Sequence, residues 1–270
     1  MTSRTMMLSI ITLVFAIVIA AACAEQPAER VGSGAASIVL GTPATEHPEA
    51  VLVDLYLGGV AQAYCSGTVV APYVVLTAGH CVDGYDAWQI SAPYAGNQSA
   101  QSSSGEMLDW TGNGDTLNPQ AHDVAALILS TPITLPTYPV LATVPVPDGT
   151  PVTNVGRVQD GVLSSTALFE SMPLRVYGAT PYGWPLDYLT MDAVQSGDSG
   201  GPDYWASPTG PILVAINSGA TKSNNYEVLT RIDLAAPWIS TQIAAYPSGL
   251  PYAPPAAAPD ASPDASASGD

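Results

Sequence analysis

The stretch Gly197-Asp198-Ser199-Gly200-Gly201-Pro202 sets a serine among an acid and three glycines and closes with a proline. This is the composition of a sharp backbone turn that exposes a hydroxyl. Gly197 is free to take a backbone conformation closed to residues with a Cβ. The turn then aims its N–H and that of Ser199 into one small pocket, as an oxyanion hole requires. Gly200 and Gly201 leave room for a second backbone, such as that of a peptide. Taken alone, the hexapeptide also admits a glycine-rich hairpin turn with an incidental serine. A base and an orienting acid elsewhere in the chain decide between the two.

Both are present. Leu76-Thr77-Ala78-Gly79-His80-Cys81 sets a histidine beside a cysteine, and His122-Asp123-Val124-Ala125-Ala126-Leu127 leads an aspartate into an apolar strand. A serine hydroxyl is a poor nucleophile at neutral pH and needs a base to take its proton. His80 is the candidate base. Asp123 is the candidate acid that holds its tautomer and stabilises the imidazolium. With Ile38-Val39-Leu40-Gly41 upstream, the chain resembles the chymotrypsin/trypsin-like serine peptidases from about Ile38 to Ala245. Gly79 departs from the alanine usual before the histidine. Many short strands and turn-rich loops with one late helix already point to an all-β barrel class. The resemblance implies two six-stranded antiparallel β-barrels with a C-terminal helix and a site in the cleft between them. His80 and Asp123 would come from the first barrel and Ser199 from the second. Protein or peptide substrates and chemistry without cofactor or metal are implied with it.

Further expectations follow from the resemblance. Cys65 and Cys81 would pair, clamping the loop that carries the base. The amino group of Ile38, once freed, would insert beside Asp198. The residue before Ile38 is Ser37, and the nearest upstream basic residue is Arg30, so activation by a trypsin-like cut is not supported. The segment before the serine turn, the strand ending Asn217-Ser218-Gly219 and the strand leading to Thr230 would line the primary specificity pocket. Counted back without a gap, its floor is Ala193 beside Val194, which suits Phe, Tyr or Leu. With Ser196 as an insertion the floor is Asp192, and Glu227 stands on the wall, which suits Lys or Arg. A third reading turns both acids out to solvent.

Composition bounds the rest. Six Lys and Arg stand against 23 Asp and Glu, a formal charge of −17, which argues against binding nucleic acid or an anionic membrane through charge. Residues 1–23 carry Arg4, an apolar run from Leu8 to Ala22, and small residues before Cys23: a secretory signal. Two readings of its end stand, lipidation of Cys23 or ordinary cleavage nearby, and a lipid anchor would be the sole membrane contact. Residues 24–37 read as a propeptide or spacer. The domain runs 38–246, with barrels about 38–140 and 141–246, and the Pro/Ala/Asp-rich tail 247–270 reads as disordered. Export implies an oxidising compartment, where cysteines pair. The resulting expectation is an exported serine endopeptidase, with an activating protease as a further partner. A catalytically silent binding or adhesion lipoprotein on the same fold is the alternative.

Strands are expected over Val51–Leu57, Ser66–Val70, Val74–Ala78, Val124–Leu129, Val152–Gly156, Leu174–Tyr177, Ile212–Ile216 and Val228–Ile232. Residues 94–120 read as loop with room for one strand, and Ala235–Ala245 as a helix. His47 is expected at the surface, and His122 as a neighbour of the acid.

Overall fold

A computed structural model describes residues 41–112, 116–191, 195–208, 210–221 and 226–255. Cys23, Ile38, Asp192, Ala193 and Val194 lie outside the described residues. Two closed six-stranded antiparallel barrels make up the fold. The first consists of β1 (Ala50–Leu57), β2 (Val60–Ala71), β3 (Val74–Thr77), β4 (Ala87–Ala92), β5 (Gln98–Met107) and β6 (Ala125–Leu129), joined in the order β1-β2-β3-β6-β5-β4. The second consists of β7 (Thr150–Gly156), β8 (Leu174–Gly178), β9 (Asp187–Met191), β10 (Pro202–Ser207), β11 (Gly210–Ala220) and β12 (Tyr226–Arg231), in the order β7-β8-β9-β12-β11-β10, closed by β7 on β10. Helix α1 (Ile232–Ala245) follows.

Several strands are apolar on both faces because both faces are covered. In β1, Val51, Val53 and Leu55 point into the first barrel with Val69, Val75, Ile90, Leu127 and Leu129. Their alternates Ala50 and Leu52 pack outward with Leu76, Ala126 and Ile128 against Val155, Tyr204 and Ile216 of the second barrel and against Ile232 and Ile239 of α1. The apolar run of 124–129 is therefore one strand serving two cores. A separate cluster of Val152, Val176, Tyr188, Val214 and Leu229 fills the second barrel.

Turn chemistry closes the hairpins. Gly58 and Gly59 both have positive φ, at 59° and 80°, and join β1 to β2 in the manner of a two-residue hairpin. Asp160 and Gly161, at 50° and 83°, do the same for a small hairpin pairing Val158–Gln159 with Val162–Leu163.

Residues 94–120 hold the one strand the sequence left room for, β5, ten residues built largely of Ser and Gln. Two sequence expectations change. His47 is mostly covered rather than exposed: its ring stacks on Tyr204 with centroids 4.7 Å apart, and its nitrogens lie near Glu49 and Glu170. The tail does not leave the fold at 247. Gly249 N–H donates to Tyr246 O, Leu250 N–H to Leu129 O at 3.1 Å, and Ala253 N–H to Ser103 Oγ at 3.0 Å, so residues 247–255 lie along the first barrel.

Candidate active site

His80 sits on a single 3-10 turn, Gly79–Cys81, directly after β3. Asp123 lies just before β6, which pairs with β3, so the sheet brings the two together. Asp123 Oδ1 accepts the His80 backbone N–H at 2.9 Å, and Oδ2 accepts His80 Nδ1–H at 2.7 Å. This fixes the tautomer, leaving the lone pair of the neutral ring on Nε2. His80 Nε2 is buried and has no hydrogen-bond partner among the described residues, so Ser199 Oγ is not bonded to it in this state. Catalytic hydrogen bonds of this kind commonly tighten only when substrate binds.

Ser218 makes a third contact that sequence reading placed only on the pocket strand. Its Oγ donates to Asp123 Oδ2 at 2.6 Å. Ser218 belongs to β11 of the second barrel, so the acid is held from both barrels. The Asn217-Ser218-Gly219 end of an apolar strand carried the signal, but the face on which Ser218 lies is a matter of register.

Gly79 also has a structural reason. A Cβ there would sit 2.8 Å from Trp110 Cβ and 3.1 Å from Asp123 Oδ1. Trp110 packs beside the His80 ring with centroids 6.0 Å apart, and the departure from alanine makes room for it. Cys65 and Cys81 form a disulfide, tying the turn that bears His80 to β2. Cys65, His80 and Cys81 bring potential ligand atoms within 4.8 Å of one another. The sulfurs are bonded to each other and Nδ1 is committed to Asp123, so this is not a metal-binding set.

The serine turn is gripped from two sides. Ser66 N–H donates to Ser199 O at 2.8 Å and Ser66 Oγ to Gly197 O at 3.0 Å, both from the first barrel. From β11, Asn217 O accepts Gly200 N–H at 2.8 Å, and Asn217 Nδ2 donates to Asp198 O at 3.1 Å. Gly197 has φ of 108°, a value that L side chains rarely adopt. Ser199 O lies 3.9 Å from Cys81 Sγ, next to His80 in the chain. His80, Asp123 and the Ser199 turn are thus assembled at one place between the barrels, with His80 and Ser199 each 8% exposed.

Asp198 is fully buried. Its Oδ1 accepts Val158 N–H at 2.8 Å and its Oδ2 accepts Gln195 N–H at 2.9 Å. Burial pushes its carboxyl up to about 7, while these backbone donors pull it down. A side chain at Gly156 would overlap this carboxylate. Of the residues expected to line a specificity pocket, Glu227 is 1% exposed and stands in register with Ala220 and Thr190. It does not turn out to solvent. Gly219 sits at a β-bulge opposite Val228.

A family model described as Trypsin matches residues 38–239. The chain belongs to the trypsin family. This family member is similar in fold to the scabies mite inactivated protease paralogue S-I1, at 22% identity and TM-score 0.61, over 75% of this chain and 98% of that one. It is also similar to the solved structure of GrC, at 18% identity and TM-score 0.62, over 76% and 99%. A comparison with curated proteins gives no match. The disulfide suits the oxidising, extracellular settings in which trypsin-family proteins typically work.

Proposed function

We propose that this trypsin-family protein is an exported serine endopeptidase that works through an acyl-enzyme. The observation that carries the reading is His80, locked by Nδ1 to a buried Asp123 and keeping an unpartnered Nε2. In this reading Ser199 Oγ attacks the scissile carbonyl carbon as Nε2 takes its proton. Gly197 N–H and Ser199 N–H receive the oxyanion, a contribution of about 3–4 kcal/mol per donor. His80 then protonates the leaving amine, and water repeats the sequence on the ester.

Export rests on residues 1–23, with Cys23 as the lipidation candidate. Activation rests on Asp198 and Ile38. Gln159 Nε2 donates to Gly41 O, and Gln159 follows Val158, a donor to Asp198. Ile38, three residues before Gly41, is within about 10 Å of chain from that point. A freed Ile38 amine there would keep the Asp198 carboxylate charged despite burial. Specificity for Lys or Arg is supported by the buried Glu227, since a cation reaching it would make a charge-assisted hydrogen bond. An Ala193 floor would favour apolar residues instead.

The silent alternative has one fold neighbour behind it, the inactivated mite paralogue. One experiment separates the readings: fluorophosphonate labelling and peptide turnover by the mature wild type, Ser199→Ala and Glu227→Gln, with N-terminal sequencing of the active form. Labelling and turnover are expected in the wild type, absent in folded Ser199→Ala, with Ile38 as the first residue. Glu227→Gln should lower the Lys/Phe ratio of kcat/KM about tenfold or more, from the lost charge-assisted bond. Turnover by folded Ser199→Ala sinks the peptidase reading. An unlabelled, inert wild type favours the binding or adhesion protein.

A further inference from the structure

Arg157 is fully buried, a placement that is costly for a charge unless it is well paired. It directly follows β7 and so belongs to the second barrel, yet its guanidinium bonds to strands of the first. Nη1 donates to Asp54 Oδ1 at 2.8 Å, to Cys65 O at 3.1 Å and to Val53 O at 3.4 Å. The guanidinium carbon stands 5.1 Å from the centre of the Tyr64 ring. Nε donates to Ser164 O at 2.9 Å, and Arg157 O accepts Ser164 N–H, which folds the 157–164 hairpin back on itself.

The rest of the residue faces the serine turn. The backbone N–H and the charge of Arg157 both act on the Asp198 carboxyl, pulling its pKa down against burial. Its Cγ lies 3.5 Å from where a Cβ on Gly197 would be, so the aliphatic stem passes beneath the glycine of the turn. One residue therefore touches both ends of the site. On one side are Gly197 and Asp198; on the other is the carbonyl of Cys65, whose sulfur is bonded to Cys81 beside His80. Its Nη2 is buried without a partner among the described residues, so the charge is incompletely compensated. A hydrophobic side chain would fill the same space at lower cost. What the guanidinium adds over such a side chain is fixed, directional donors spanning the two barrels.

We propose that Arg157 is a positioning residue that holds the Gly197–Ser199 turn at a fixed distance from His80 by fastening the second barrel to the Cys65 carbonyl. This rests on the peptidase reading, and one arm of the test is independent of it. The first arm is steady-state kinetics of Arg157→Met and Arg157→Lys. Displacement of reacting groups by about 1 Å can cost on the order of 100-fold in rate. Arg157→Met should lower kcat about 10- to 100-fold with KM within about twofold. Arg157→Lys should recover part of the loss, since an ammonium still donates toward Cys65 O. A role in folding alone would lower thermal stability without that split.

The second arm is amide hydrogen exchange in a Ser199→Ala background, where turnover plays no part. Arg157→Met should speed exchange in residues 197–201 and 79–83 together while leaving α1 unchanged. Unaltered kcat in a folded Arg157→Met protein overturns the proposal, as does faster exchange confined to 157–164 or spread evenly through the chain. Should Arg157→Met not fold, Arg157→Lys carries both readouts. If the wild type turns over no peptide, the peptidase reading fails, and the exchange arm still decides the coupling.

Discussion

Asp203 is buried behind the serine turn with Asn154 and Asn217, one from each of three adjoining strands. Asn154 Nδ2 donates to Asp203 Oδ1 at 2.8 Å and also to Asn217 Oδ1, while Asp203 Oδ2 has no partner among the described residues. Burial pushes the Asp203 carboxyl from 3.8 up to about 7, opposed only by the Asn154 bond. The native state thus keeps a proton that the unfolded chain releases. Its stabilisation is complete below the unfolded value of 3.8 and is lost as pH rises through about 7. Asp187, pushed by burial to about 8, acts in the same direction, as does Asp198, at about 7, wherever no Ile38 amine stands beside it. Thermal stability should therefore fall as pH rises over this window. Asp203→Asn, which cannot ionise, should show a shallower fall. Melting curves across the window check this, and a slope equal to that of the wild type refutes it.

Among elements, the link between β2 and the 3-10 turn of His80 is covalent. The Cys65–Cys81 bridge spans a sequence separation of 16. Closing a loop of that size removes unfolded-state entropy worth about 3 kcal/mol. Replacing both cysteines by Ala should cost stability of that order in a urea titration and lower kcat/KM, because the turn bearing His80 loses its clamp; unchanged stability would count against it. Strands with apolar runs were readable because two cores cover both faces. β5 was legible only as one strand somewhere in a loop region, since its Ser and Gln side chains face water or bond backbone, as Ser102 Oγ does to Ile128 O at 2.8 Å. Nor were β4, β9 and β10 legible, because Gln89, Asp187 and Asp203 break their apolar runs and β10 opens on a proline.

Across the whole molecule the two barrels repeat one strand order without a visible sequence repeat. Segments at both ends of the described chain bridge them. Thr42–Pro43, just before the first barrel, pairs with Phe169–Glu170 of the second half. The segment after α1 returns from the second barrel to Leu129 and Ser103 of the first. Ending the chain at Tyr246 should remove those two hydrogen bonds and cost about 1–3 kcal/mol. Ending it at Pro255 should cost nothing measurable, because residues 256–270 are too poor in large apolar side chains to bury a core. Paired denaturant titrations compare the two, and equal stability would show that the strap is idle.

By itself, the sequence determined the family, the all-β class and the chain order of His80, Asp123 and Ser199, and its resemblance to that family implied the pairing of Cys65 with Cys81. These are written in local motifs, where a glycine, an acid or a cysteine at fixed spacing carries its own constraint. Tertiary structure alone decided that Ser218 reaches Asp123, that Glu227 faces inward and that Arg157 spans the barrels. Each depends on register between strands far apart in the chain, where a slip of one residue sends a side chain to the opposite face.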